Sequence, residues 1–324
     1  MLSLDYMIKI LIRVPLNFSL FSLAIFSLWS CNKTSPSSLN SQTSTLADIL
    51  ATGTSTTIFN SAVNKGGLDT IFNSPSIFTL MVPNDAACTQ SGYSLAVING
   101  FTPDQAKNWV LYQTYAGTAL NFNSFIGKTE LKLIMANGDS VFVSGDSNRT
   151  YVNGYMFLNS EATASNGMML ALQNVLIPPQ QNLAQMVGSD TSLSFFNQAI
   201  QLATTVPDTL SVLLSTGGPF TLLAADNDAF RNLGYNTPSD LNLVSPDSLR
   251  AIVLSGLIPQ RLFNYDIPDS STFLAISDST LIFYNTGFQI SVQVVASDTI
   301  SNVISLNQMA INGVLFKIDG LLEH

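Results

Sequence analysis

Phe78-Thr79-Leu80-Met81-Val82-Pro83-Asn84-Asp85-Ala86-Ala87-Cys88 returns later in the chain as Phe220-Thr221-Leu222-Leu223-Ala224-Ala225-Asp226-Asn227-Asp228-Ala229-Phe230. Each copy opens with a short apolar run carrying Thr second, the pattern of a buried strand. A break follows, at Pro83 in one copy and Ala225-Asp226 in the other. Asn84 and Asp226 stand where a short side-chain acceptor can cap the free N–H groups of a helix. Asp85 and Asp228 fall in the first turn, where the helix dipole favours negative charge.

The two corners belong to a longer repeat. Leu46-Ala47-Asp48-Ile49-Leu50 pairs with Leu183-Ala184-Gln185-Met186-Val187, and Pro103-Asp104 with Pro246-Asp247. Asn166-Gly167-Met168-Met169 pairs with Asn312-Gly313-Val314-Leu315. The order is kept and the offset drifts slowly, as a few loop insertions would make it. The chain is therefore a duplication of one unit of about 140 residues, a usual domain size. That period is too long for a solenoid, so each copy is expected to carry its own core.

Within each copy the hydrophobic period changes. Leu46, Ile49, Leu50, Ile58, Phe59, Ala62 and Val63 recur at helical spacing, and Gly66-Gly67 stops the pattern. Leu68, Ile71 and Phe72 extend the apolar face. Thr102-Pro103-Asp104-Gln105 reads as a capping box with Pro at the first helical position, and Ser245-Pro246-Asp247-Ser248 repeats it. Short β-branched and aromatic runs follow: Leu131–Met135, Ser140–Val143, Tyr151-Val152 and Tyr155–Leu158, then Phe273–Ile276, Leu281–Tyr284, Ile290–Val295 and Val314–Ile318. Asn137-Gly138, Gly145-Asp146 and Asn153-Gly154 punctuate the first set with the positive φ of tight turns. Helices first and an antiparallel meander after them predict an α+β fold.

Both quoted blocks, the Phe-Thr corner and the later Asn-Gly strand, resemble the two sequence blocks of fasciclin-type (FAS1) domains. The resemblance covers nearly everything after residue 44. It implies two tandem fasciclin-like domains, 45–179 and 182–324, each an antiparallel β-wedge or sandwich with helices packed along it. Pro178-Pro179 and the brief Gln180-Gln181-Asn182 leave little linker, so the two domains are expected to touch. Some members of this family adhere through a Tyr-His pair. By position that pair falls on Tyr112-Gln113 and Ser255-Gly256, and neither copy keeps it. The His of the second block is replaced by Leu170 and Phe316. The scaffold implied is one of binding rather than of a particular reaction.

Residues 1–31 read as a leader. Lys9 and Arg13 form a basic start, with Met7 a second candidate initiator, and Val14–Trp29 is apolar but short for a membrane span. It ends in Leu28-Trp29-Ser30-Cys31, resembling a bacterial lipoprotein signal with Cys31 as the lipidated residue. Residues 32–44 are a Ser/Thr/Asn-rich tether. The implied localisation is the bacterial cell envelope, lipid-anchored at the outer membrane.

The formal net charge is −9, which argues against nucleic acid as a partner. The partners left are the membrane through its lipid, an extracellular or envelope protein, or a glycan. The chain has two cysteines and a single histidine, His324, so it has no Ser-His-Asp triad and no His/Cys zinc set. No catalytic residue, metal site or cofactor is expected. Cys88 stands where the other copy has Phe230 and reads as a core thiol. The Asn/Asp/Ser cluster from Asn137 to Asn148 lacks the alternating ligands of a calcium loop and reads as hairpin turns.

Two functions follow. One is a surface lipoprotein for adhesion or for binding an envelope or extracellular protein, with Tyr112, Gln113 and Tyr115 as candidate binding residues. The other is a carbohydrate-binding accessory lipoprotein of a surface glycan-uptake system, with Phe101, Trp109, Tyr112 and Tyr115 as its stacking platform. Cys31→Ala tests the anchor: the variant should leave the membrane fraction for the soluble one on cell fractionation, and unchanged membrane association would disprove lipidation at that residue.

Overall fold

In the first half of the chain α1 (Leu46–Thr52), α2 (Thr57–Lys65) and α3 (Asp69–Phe72) precede strand β1 (Phe78–Pro83). Next come α4 (Asp85–Gln90), α5 (Leu95–Gly100) and α6 (Pro103–Leu111), then β2 (Thr114–Ala116), β3 (Lys128–Ile134), β4 (Ser140–Gly145), β5 (Thr150–Val152), β6 (Tyr155–Ala164) and β7 (Gly167–Leu172). The second half repeats the plan. It runs α7 (Leu183–Ser189), α8 (Ser194–Leu202), α9 (Leu210–Thr216), β8 (Phe220–Ala225), α10 (Asn227–Asn232) and α11 (Pro246–Ser255). Five further strands follow β9 (Leu257–Ile258): β10 (Ser271–Leu274), β11 (Thr280–Asn285), β12 (Ile290–Val294), β13 (Ile300–Ala310) and β14 (Gly313–Ile318). The structure, a computed structural model, describes residues 44–203, 210–287, 289–295 and 297–322. The leader with Cys31 and the tether up to residue 43 lie outside the described residues, as does His324.

Each half holds a seven-stranded sheet, in the order β2-β1-β7-β6-β5-β4-β3 and, equivalently, β9-β8-β14-β13-β12-β11-β10. The meander expected from the sequence is antiparallel, and the structure adds a parallel pair at its heart. β1 runs parallel to β7, with Phe78 opposite Gly167, and β8 runs parallel to β14, with Phe220 opposite Gly313. Every residue of β1 and β8 is buried. A strand covered on both faces needs no polar alternation, which is why both read as unbroken apolar runs. β6 slips register between Phe157 and Glu161, and β13 between Val303 and Gln308. Bulges bend a strand. Here they turn β6 and β13 from one part of the sheet to the other and make the wedge.

The corner after each central strand forms as the sequence predicts. The Asn84 side chain accepts from Ala87 N–H at 2.7 Å, and the Asp226 side chain from Ala229 N–H at 2.9 Å. The next residue does something the helix-dipole reading does not include. The Asp85 carboxylate accepts from Ile58 N–H at 2.8 Å and Thr57 Oγ1 at 2.7 Å, so it caps α2 across the fold. Asn227 does the same to Phe195 N–H in α8, at 3.2 Å. One corner thus caps two helices.

The second block carries the tightest junction. The Asn166 side-chain oxygen accepts from Leu46 N–H at 2.9 Å, and its amide nitrogen donates to the carbonyls of Phe72 and Ser74 at 2.7 and 2.8 Å. Asn312 repeats this with Leu183 N–H and the carbonyls of Leu214 and Gly217, at 2.9, 2.9 and 2.7 Å. Each Asn ties the start of the first helix to the end of the third and to the last strand. The Gly that follows is required for space, because a Cβ on Gly167 or Gly313 would run into the carbonyl of Phe78 or Phe220.

The helices pack on the sheets over fully buried Phe59 and Phe72 in one half and Phe195, Phe196 and Phe230 in the other. Cys88 is buried in the position of Phe230, and burial pushes its thiol up to about 12. That removes the thiolate and with it the residue's reactivity. Ile71 departs from the expected apolar face: it is 40 % exposed, while Leu68 and Phe72 on either side are buried. α3 is a single turn, too short to hide all three.

Asn166→Ala and Asn312→Ala should each lower stability by about 3 kcal/mol, because each strands one helix N–H and two carbonyls inside the protein. Chemical denaturation of the two variants measures this, and a loss below about 0.5 kcal/mol in both would contradict the junction's role.

Candidate functional site: the seam between the two halves

The described residues of both halves lie in one compact unit. They meet along β4 and the β5–β6 hairpin on one side, and the loop after β9 and the strand β13 on the other. Tyr151 stacks on Tyr265 with ring centroids 3.7 Å apart and planes 18° from parallel. Phe142 of β4 faces Phe263 at 6.4 Å. Asn307 donates from its amide to Gly154 O at 3.4 Å, at the tip of the hairpin. That tip is the Asn153-Gly154 turn read from the sequence, with φ of 48° and 79°. Asn153 also reaches inward, accepting from Phe142 N–H at 2.9 Å and donating to Tyr112 Oη at 3.2 Å.

Arg261 lies in the middle of the seam. The Thr221 hydroxyl fixes its backbone, donating to Gln260 O and accepting from Leu262 N–H, both at 2.8 Å. Thr79 makes the same two bonds in the first half, to Thr118 O and from Leu120 N–H, each at 2.8 Å. Between those clamped neighbours the first half has Ala119 and the second has Arg261. The arginine is only 7 % exposed, and its guanidinium carbon sits 3.9 Å from the Phe142 ring centroid. A guanidinium over an aromatic face is attracted by the ring quadrupole. Its Nε is buried without a hydrogen-bond partner among the described residues.

Two carboxylates share this environment. Burial pushes Glu130 above the usual carboxylate range, and repulsion from Asp266 adds to it while Arg261 acts against it. One Glu130 oxygen is buried with no partner among the described residues. Asp266 is also raised by burial, with the Ser144 hydroxyl and the Phe263 N–H as hydrogen-bond partners opposing the shift. Burial draws Arg261 down from its ordinary value, against the pull of Glu130 and Tyr112. The seam therefore holds one cation and two carboxylates in partial isolation from water.

The sequence-derived candidates fall elsewhere. Tyr112 and Gln113 are fully buried, which takes both out of reach of a partner and corrects their reading as surface contacts. The Tyr112 hydroxyl donates to Ser140 O at 3.2 Å, and burial raises its ionisation. Gln113 accepts from Leu176 N–H at 3.5 Å, and its carbonyl accepts from Met81 N–H at 2.8 Å. Both residues follow α6, where the chain turns under the sheet. Tyr115 is half-buried on β2, opposite Thr79. Trp109 is 5 % exposed and packs against Phe59 and Tyr93 at centroid distances of 5.6 and 5.4 Å. The Asn137–Asn148 cluster forms turns, with Asp146 accepting from the N–H groups of Asn148 and Arg149 at 2.6 and 2.8 Å. Arg261 escaped the sequence reading, although one signal was there: it replaces a small residue at matched positions of the two copies.

The architecture is a pair of α+β domains built twice on one template and joined by a partly charged seam. The fasciclin domain family matches residues 54–178 and 191–324, and the chain belongs to that family. It is also similar to a solved FAS1 domain pair from the insect cell adhesion molecule fasciclin I, at 14% identity, over 83% of this chain and 96% of that one, with a TM-score of 0.40. No curated protein matches.

The raised carboxyl of Glu130 sets a pH dependence. Above the ordinary glutamate value of 4.5, the unfolded chain releases this proton while the folded chain still holds it. Stability therefore falls as pH rises through the window above 4.5. The lowered carboxyls of Asp48, Asp146 and Asp240 act below 3.8, in a separate range. Glu130→Gln should gain stability relative to the parent as pH rises from about 4.5 to 7, read from melting curves at each pH. A constant difference across that range would show that Glu130 is not held protonated by the fold.

Proposed function

We propose that this protein works by binding, as an adhesion or envelope-binding lipoprotein held at the outer membrane through Cys31. The observation that carries the reading is the pair of fasciclin domains over most of the chain. Seam contacts from both domains, Tyr151 on Tyr265 and Arg261 over Phe142, would make the pair a firm unit for presenting a surface at the end of a polar tether. The partner in this reading is an envelope or extracellular protein.

A carbohydrate-binding accessory role in glycan uptake needs aromatic faces open to a sugar. Tyr112 and Trp109, two of the four residues proposed for that platform, are buried, and this favours a protein partner.

Beads coated with the purified protein should bind outer-membrane fragments of the producing cells saturably, and soluble protein should compete. Protease treatment of the fragments should abolish capture. Loss of capture after periodate but not after protease would replace the protein partner with a glycan.

A further inference from the structure

A cavity of about 630 Å³ opens along the seam. Its wall includes Lys132, Asp139 and Phe142 from the first domain and Gly217, Gly218 and Arg261 from the second. Arg261 is nine-tenths buried, its Nε has no hydrogen-bond partner and it forms no salt bridge among the described residues, although Glu130 is near enough to act on its ionisation. Buried guanidinium groups are ordinarily matched to an acceptor, because leaving their donors unpaired is unfavourable. Phe142 covers one face of the group, with the guanidinium carbon 3.9 Å from the ring centroid, and Arg261 itself forms part of the cavity wall. The clamp on Gln260 and Leu262 holds the residue in place before anything binds.

We propose that this cavity binds a small ligand through a carboxylate, held by Arg261. Three lines of chemistry select that class. The planar fork of an arginine matches the two oxygens of a carboxylate. Lys132 and Arg261 line the cavity against Asp139, and burial holds the nearby Glu130 and Asp266 toward their neutral forms, so the wall carries at most one positive charge in excess, which suits a monoanionic group better than a phosphate dianion. The volume is that of an ordinary small-molecule site. Only the second domain carries the arginine, since its counterpart is Ala119, so the site exists only where the two domains meet. The proposal does not depend on adhesion: a protein with no envelope partner could still hold the ligand.

Glucuronate, a ring acid, and succinate, an open-chain diacid, are the probes, with glucose as the neutral control, each titrated calorimetrically into the purified protein. Saturable binding of either acid but not of glucose is the expected result, and the better of the two identifies the shape preferred. Arg261→Gln should weaken it about tenfold or more, the effect of losing hydrogen bonds to a charged group. Arg261→Lys should recover part of the loss. If Arg261→Gln disturbs folding, the exposed Lys132→Ala decides, with weaker acid binding expected. No saturable binding of either acid, equal binding of glucose, or affinity unchanged in a folded Arg261→Gln or Lys132→Ala protein would each overturn the site.

Discussion

An asparagine amide, buried in the first domain and half-buried in the second, sits at the point where each domain closes on itself. Asn166 and Asn312 accept from the first N–H of one helix and donate to two carbonyls at the end of another, while their own chain begins the last strand. Those groups have no partner within their own elements, because helix ends leave N–H and C=O groups unpaired. An amide supplies acceptor and donors within one short side chain, so it can settle three of them at once. The last strand is then placed beside the first, and the parallel pairing of β7 with β1 and of β14 with β8 follows.

On that frame the two domains differ where they meet. The hydroxyls of Thr79 and Thr221 make identical clamps, a constraint of the template. The residue held between the clamped neighbours was free to change. It became Ala119 where the loop is exposed, and Arg261 where the loop faces the other domain. Duplication thus left the packing rules intact and put the chemical asymmetry in the seam. There Glu130, Arg261 and Asp266 sit in reduced contact with water, Glu130 and Arg261 act on each other's ionisation, and Asp266 pushes Glu130 further up. Of the three, Arg261 forms part of the wall of the cavity between the domains.

Much of this architecture was legible in the chain. The caps at Asn84, Thr102, Asp226 and Ser245 are local, since each side chain bonds the N–H three residues ahead, and the structure forms all four. Cys88 in the core followed from comparing it with Phe230. Tyr112 and Gln113 misled for a physical reason. Position within a family block says which residues align, whereas burial depends on how the chain turns after α6, and here it turns inward. Asp85 was read for its own helix, while its carboxylate reaches α2, a contact 27 residues back in the chain.

The sequence by itself determined the duplication, the α+β order of elements, the helix starts and the tight turns, because these rest on periodicity and on side chains bonding near neighbours. Only the tertiary structure decided the parallel central pair, the three-way asparagine junction and the burial of Arg261 against Phe142. Those contacts join residues about a hundred positions apart, and no local pattern records which distant groups the fold brings together.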